Sequence, residues 1–444
     1  MLNRFILLVA FSLVISLDAA AQNSRIYSIA PNQIQTGATA FPIVVSGSNF
    51  KKNSVVQING ATLDTVRTAW NQLRATVPAS LAASAGNLEV KVVWKNRASN
   101  AANLTVSSSP AGNYNWAALA AKLQSFVPGT VDGLSFMISR HGKTIYSTAL
   151  GTYRANNQNF PFTTATSLPI ASSTKMPSML AIMTLVDEGR LNLDAPVSTY
   201  LNGYATVPAD KANITMRMLM NHTSGVADDN CLGNQTTTTL QACTQRILNA
   251  PLEFAPGTKF AYGGTGMHIA GGVVEAITGE SWNSFFARKV GTPLGLTRFT
   301  YTNTNNPRIA GGANSDVGDY TRIMQTYLAG GVFGNTRILS LARYYEMQTD
   351  QKRDLPVVNS PGGTTLTGYS FGWWHSSAAY LQSQPQPQTP GLELSDQGAF
   401  GCTPWIDLDS NYTAVLLIND RTSTGTTIWN QIRPLIIEQM RNNP

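Results

Sequence analysis

Charge is scarce in this chain. Only 12% of its 444 residues are Asp, Glu, Lys or Arg, although the formal net charge is +7. The basic residues are scattered, and Lys51-Lys52 is the only pair of adjacent lysines. A nucleic-acid-binding face needs its cations gathered, because phosphate neutralisation supplies most of the affinity. No nucleic-acid partner is therefore expected, and the charge is read as solvation. Cysteine stops at three residues and histidine at four. HExxH and zinc-type Cys/His spacings are absent, so neither a metal nor a cofactor is expected. Beyond the first twenty-odd residues no apolar run has the length of a membrane-crossing helix. At 43% hydrophobic residues the chain still has the material for compact cores, and its length suggests two domains.

What is present begins with an address. Residues 1–21 read as a signal peptide: Arg4 supplies the positive region, Phe5 to Leu17 a short apolar run, and Ala19-Ala20-Ala21 a small-residue cleavage site. An exported protein, periplasmic or secreted, with no integral membrane segment after cleavage is expected. Disulfides persist in those compartments. Cys231 and Cys243 bracket the polar stretch CLGNQTTTTLQAC and are expected to pair; Cys402, among Gly401, Thr403 and Trp405, reads as a buried small hydrophobe.

From 25 to 107 the chain shows short β-rich runs (FPIVVSG, SVVQING, LRATVP, NLEVKVVW, ANLTV) separated by Gly, Pro, Asn and Ser, with one short turn at SLAASAG. That spacing predicts a small all-β sandwich. The stretch SIAPNQIQTGATAFPIVVSGSNF, followed by SVVQING and LEVKVVWKNRASNAANLTV, resembles an immunoglobulin-like IPT/TIG domain. The resemblance implies a binding or spacer module, with cell-wall or surface glycan as the partner to consider. Residues 108–113 form a polar linker. From 114 to 444 the texture changes. Asn115 can cap the helix NWAALAAKLQSFV, strands SFMISR and TIYSTALG follow, and CTPWIDL and YTAVLLIND make a late hairpin. The last helix, TTIWNQIRPLIIEQM, is expected to be kinked or interrupted by Pro434. Helix first, strands at both ends and a Gly-rich helical middle predict an α+β domain whose sheet joins the two termini.

Two short motifs compete for a nucleophile. Ser-x-x-Lys occurs at Ser48–Lys51, in the sandwich with no helix after it, and at Ser172–Lys175. The second precedes KMPSMLAIMTLVDEG, a long apolar segment that Gly189 can terminate, so Ser172 stands at a helix N-terminus with Lys175 one turn along. The helix dipole there favours an anion. The rival is Gly368-Tyr369-Ser370-Phe371-Gly372, a formal nucleophile elbow. An elbow requires Ser, then an acid, then His in chain order. Of His141, His222, His268 and His375 only the last follows Ser370, and no acid lies between them. That motif is read as structural. His222 in NHTSG reads as a loop residue, His268 as a satisfied histidine, Asp228-Asp229 as surface residues that can rim a cleft, and Trp373, Trp374 and Trp405 as wall and core.

The stretch LPIASSTKMPSMLAIMTLVDEGRLNLDAPVSTYL resembles the nucleophile region of serine β-lactamase-like and penicillin-binding-protein-like hydrolases, a group that includes class C β-lactamases, D,D-peptidases and related esterases. ITMRMLMNHTSGV, FAPGTKFAYGGTGMHIAGGVVEAITG, PLGL and GAFGCTPWIDLDSNYTAVLLIND continue the family's order across most of residues 113–444. The resemblance implies Ser172 as acylated nucleophile, Lys175 as its neighbouring amine and Tyr262 as the second proton carrier. It implies an oxyanion hole from the backbone N–H groups of Ser172 and Ala399, with Gly398 admitting the last strand closely. Two positions depart from the family. Gly264 stands where many relatives carry Asn, and Asp396, before Gln397 and Gly398, stands where many carry Lys or His. An aspartate facing the substrate would repel the carboxylate of β-lactams and D-alanyl peptides. The expected substrates are therefore carboxylic esters, ahead of β-lactams or D-amino-acid peptide amides, with Gln397 replacing some of the lost polar contacts. A catalytically weakened binding protein of the cell envelope is the competing expectation.

Overall fold

The computed structural model describes residues 24–108, 113–229, 231, 237–302, 304–352, 354–361, 366–376, 393–408 and 410–443. The expected signal peptide and most of the expected linker lie outside the described residues, as does Asp409 of the late hairpin.

The first domain is a two-layer β-structure. Strands Arg25–Ala30, Phe41–Ser48, Gln72–Val77 and Thr65–Ala69 form one sheet; a second is built around Gly86–Trp94 and Ala102–Ser107. In Phe41–Ser48 buried and half-buried residues strictly alternate, the signature of one sheet face turned to a core. Ile43, Val45, Val56, Ile58, Leu73, Val90 and Val92 fill that core and are fully buried. SLAASAG forms a 3-10 turn at Ala79–Ala82.

The second domain is organised by an eight-stranded antiparallel sheet. Its order is Gln158–Pro161, Lys143–Ala155, Gly133–Arg140, Tyr412–Ile418, Thr403–Asp407, Glu393–Ser395, Trp374–Ser376, Leu366–Tyr369. Strands from both ends of the domain pair in its centre, Phe136 opposite Leu416. The run YTAVLLI is buried throughout because both faces of the sheet are covered. Ala414, Leu416 and Ile418 meet helices Ala117–Gln124 and Thr422–Asn442, together with Trp405 and Trp429, whose rings stack 4.9 Å apart. Val415 and Leu417 join the core on the other side. Asn115 Oδ1 accepts the N–H of Ala117 at the start of the first helix. Of the two outcomes expected at Pro434, interruption does not occur: the last helix runs from Thr422 to Asn442 with Pro434 inside it.

The helical half lies on that second face. Helix Lys175–Asp187 is buried on every side from Lys175 to Val186, which makes it the central pillar of the half rather than an amphipathic surface helix. Gly189, at φ +69°, ends it, and Arg190 N–H returns to Leu185 O. Cys231 and Cys243 form a disulfide with Cα atoms 5.7 Å apart, and Cys402 is a buried free thiol. The two domains meet through polar contacts: Arg337 pairs with Asp64 at 3.1 Å, and the Arg74 guanidinium lies 4.5 Å over the Tyr345 ring. Among the described residues no helix is long and apolar enough to cross a membrane.

Candidate active site

Ser172 sits in a 3-10 turn, Ala171–Thr174, that feeds directly into helix Lys175–Asp187. Ala171 adopts φ +45°, a left-handed conformation unusual for a residue with a side chain. The turn is clamped from outside. Ser173 donates its hydroxyl to Asp396 O, and Tyr320 donates its hydroxyl to Ser173 O at 2.8 Å. Pro177 falls in the helix's first turn, where its missing N–H is tolerated.

Lys175 is only 3% exposed, and its Nζ donates to Ser172 Oγ at 3.2 Å and to Ala310 O at 3.0 Å. Burial brings its pKa down from the usual range to about 8; the Asp396 charge opposes that shift and Arg308 assists it. The Nζ lies 4.5 Å from the centre of the Tyr262 ring. The Tyr262 hydroxyl is directed at Ser172, and its pKa is raised, first by burial and then by the Asp396 charge. The two groups have opposite characters as a result: an amine that gives up its proton easily and a phenol that keeps it.

Tyr262 is held by aromatic neighbours. The His222 ring centre lies 4.8 Å away, Trp374 5.2 Å and Tyr369 5.9 Å. His222 Nε2 and the Tyr369 hydroxyl share a 3.0 Å hydrogen bond, and burial keeps this imidazole neutral. Tyr369 belongs to the motif set aside as structural. Ser370, at its centre, is buried and donates to Trp373 O, so it has no route to substrate. The motif's second glycine lets the loop touch helix Lys175–Asp187: a Cβ on Gly372 would lie 2.5 Å from Met176 Cα. His268 is likewise buried, bonded to Asn306 Oδ1 at 2.6 Å.

A cavity of about 700 Å³ opens over Ser172 and Lys175. Tyr262, Gly264, Ala399, Arg308 and Asp228-Asp229 line it, with Phe400 exposed at its mouth. Gly398 brings the Ala399 segment against the Ser172 turn: a Cβ there would lie 2.1 Å from Ile170 O. Two expected substrate contacts are corrected. Asp396 does not line the cavity; it is fully buried, and its Oδ2 accepts the N–H of Met176 at 3.1 Å. Lying just past strand Glu393–Ser395, its side chain takes the inward side against helix Lys175–Asp187, where burial raises its carboxyl well above the usual carboxylate range and the Lys175 charge opposes that rise. Gln397 is also turned away, its Oε1 accepting from Thr426 Oγ1 at 3.0 Å. Arg308 and Tyr369 were not anticipated. Arg308 lies in a loop with no motif around it, and Tyr369 was masked by the serine beside it.

Comparison with known proteins assigns each domain to a family. The beta-lactamase family profile matches residues 119–433 and the IPT/TIG domain profile residues 24–108. Protein flp of Staphylococcus aureus strain N315 is 28% identical over 182 residues, 40% of this chain and 36% of that protein. Penicillin-binding protein 4 of Amycolatopsis lactamdurans is 36% identical over 130 residues, 28% of this chain and 33% of its own length. These matches thus span about a third of each relative's length. Among solved structures, EstCE1, a hydrolase with promiscuous acyltransferase activity, superposes with a TM-score of 0.59 at 23% identity, covering 72% of this chain and 97% of its own. With the beta-lactamase profile extending over most of the domain that holds Ser172, Lys175 and Tyr262, the chain belongs to the beta-lactamase family of serine hydrolases, here preceded by an IPT/TIG domain.

Proposed function

We propose that the protein is an exported hydrolase of carboxylic esters that works through an acyl-enzyme at Ser172. The observation that carries this reading is the buried Lys175 amine, 3.2 Å from Ser172 Oγ and brought down to about 8. A serine hydroxyl becomes a useful nucleophile when a neighbouring base takes its proton. Lys175 in its neutral form takes that proton as Ser172 Oγ attacks the ester carbonyl. The Ser172 and Ala399 N–H groups receive the developing oxyanion. Tyr262, which holds its proton, gives it to the leaving alkoxide as the tetrahedral intermediate collapses, and regains one from Lys175. Water then repeats the sequence on the acyl-enzyme with the same groups, releasing the acid.

Esters are favoured because the substrate side of the last strand carries no cation, and Gly264 supplies no carboxamide to hold an amide. The hydrolase and acyltransferase activity of EstCE1 is consistent with acyl-transfer chemistry of this kind. One observation favours β-lactams or D-amino-acid amides as second choice: Arg308 is exposed and lines the cavity, where it can receive a carboxylate. The disulfide is consistent with export. For the IPT/TIG domain the reading is a spacer or a contact to cell-wall or surface glycan.

The test is p-nitrophenol release from a short p-nitrophenyl ester by the full chain and by Ser172→Ala. Clear turnover that falls by about a thousandfold or more in the variant is expected. Equal rates in the two proteins would remove Ser172 from the mechanism.

A further inference from the structure

Beside the cavity over Ser172 lies a second, smaller one of about 220 Å³. The two share Asp228, Tyr262 and Gly263 as walls. Backbone geometry builds the smaller pocket. Gly225, at φ +74°, admits the Phe254 segment closely, since a Cβ there would lie 2.0 Å from Phe254 O. Glu253 N–H donates to Gly225 O at 2.8 Å and fixes the same approach. Another wall is tied by two hydrogen bonds of 3.0 Å, Tyr262 N–H to Asn359 O and Asn359 Nδ2 to Tyr262 O.

The charge of this pocket is one-sided. Asp228 and Glu253 line it, with no lysine or arginine among its described lining residues; Arg308 lines only the larger cavity. Burial keeps the lining imidazole, His222, neutral. Asp229 pairs with Arg246 at 3.0 Å, whereas neither Asp228 nor Glu253 has an ion-pair partner among the described residues. Asp228 Oδ1 accepts the Thr265 hydroxyl at 3.0 Å, and the absent side chain of Gly263 leaves it room: a Cβ there would lie 3.3 Å from that oxygen.

Two carboxylates alone would be a solvated edge, but Ser224 adds an independent sign. It is only 3% exposed and lines the pocket, and its hydroxyl has no hydrogen-bond partner among the described residues. Buried hydroxyls are normally satisfied. This one stands where Gly266, another lining residue, carries no side chain: a Cβ there would lie 3.4 Å from Ser224 Oγ. Phe254 and Tyr262 add aromatic surface. A hydroxyl acceptor, two carboxylates and aromatic rings around a space too small for a whole substrate suit one chemistry, an alkylammonium group.

We propose that this pocket is a cation subsite and that the preferred substrates are esters bearing an ammonium group, held by Asp228, Glu253 and Ser224 while the ester carbonyl lies over Ser172. This rests on the ester hydrolysis at Ser172 proposed above. Asp228 and Tyr262 belong to both cavities, so the ammonium reaches the pocket along the wall they form.

The experiment uses the full chain and two pairs of esters matched in shape but not in charge. Aminobutyl acetate against pentyl acetate, followed by acid release, puts the charge on the alcohol. The p-nitrophenyl esters of ε-aminohexanoic and heptanoic acid put it on the acyl group. In the wild type kcat/KM should favour the charged member of one pair by about tenfold or more, the size of one charge-assisted hydrogen bond. The pair that shows it identifies which side of the ester enters the pocket. Asp228→Asn and Glu253→Gln should each bring that ratio towards one, Glu253→Lys should remove it, and Ser224→Ala should lower it severalfold. The ratio is read within each variant, so a general loss of rate does not imitate the effect. Glu253 is exposed, so its variants keep the test open should Asp228→Asn fail to fold. Equal rates within both pairs, no turnover of the charged members, or a preference that survives the substitutions would overturn the subsite while p-nitrophenyl acetate is still cleaved. A wild type that cleaves neither these esters nor p-nitrophenyl acetate would overturn the hydrolase reading itself.

Discussion

At the scale of single residues the site divides its labour by environment. Burial acts on Lys175 and Tyr262 in opposite directions, because it disfavours the charged form of each: the ammonium of one and the phenolate of the other. The wild-type kcat/KM should accordingly climb through about pH 8, because protons must leave Lys175 before it can serve as base; a profile flat from pH 6 to pH 10 would contradict that role. Tyr262→Phe keeps the ring packed against His222 and Trp374 and removes only the hydroxyl. Its kcat should fall by about 10²–10⁴ with the melting temperature little changed. Ser172 and Lys175 were legible from their spacing and the helix that follows. Tyr262 was legible only through the family resemblance, since nothing about a tyrosine before two glycines announces a proton carrier. Asp396 was legible as a position but not as a direction. Successive residues along a strand point to opposite faces, so a carboxylate at a strand end can face substrate or the interior. The Met176 N–H, far away in sequence, decides between the two.

At the scale of elements, the terminal helix is tied to the central sheet by an ion pair removed from water. Arg433 and Glu393 are both essentially unexposed and bonded to each other, and burial pushes Glu393 up to about 7 despite its partner. Removing one partner strands the other charge. Arg433→Ala should destabilise the protein by about 3–5 kcal/mol, read from the urea midpoint, whereas Arg433→Met combined with Glu393→Leu should recover most of the loss. This pairing was invisible beforehand because the two residues are 40 apart in the chain. The helix Lys175–Asp187 shows the complementary limit. Its apolar run and terminating glycine were readable, but the same run also suits a surface helix, and only the packing of the helical half around it shows that every face is buried.

At the scale of the whole molecule, the two domains touch through charge and cation–π contacts, with Val66 of the first packed against the core of the second. Asp64 and Arg337 are both about 40% exposed, so the pair between them is screened by water. Asp64→Ala should lower stability by no more than about 1 kcal/mol. Ester kcat/KM should stay unchanged in that variant, because none of these contact residues lines the catalytic cavity. A large loss of activity would instead show that the N-terminal domain positions the site.

The sequence by itself determined the two-domain division, the β-sandwich, the pairing of Cys231 with Cys243, and the Ser172–Lys175 unit at a helix start. Each is encoded by residues near one another in the chain, through alternation, capping, turn chemistry or helical spacing. Tertiary structure decided what depends on remote segments meeting. It placed Tyr369 and His222 behind Tyr262, turned Asp396 inward toward helix Lys175–Asp187, and put Arg308 on the cavity wall. Burial and electrostatics set the reactivity of these groups, and both arise only when distant parts of the chain exclude water together.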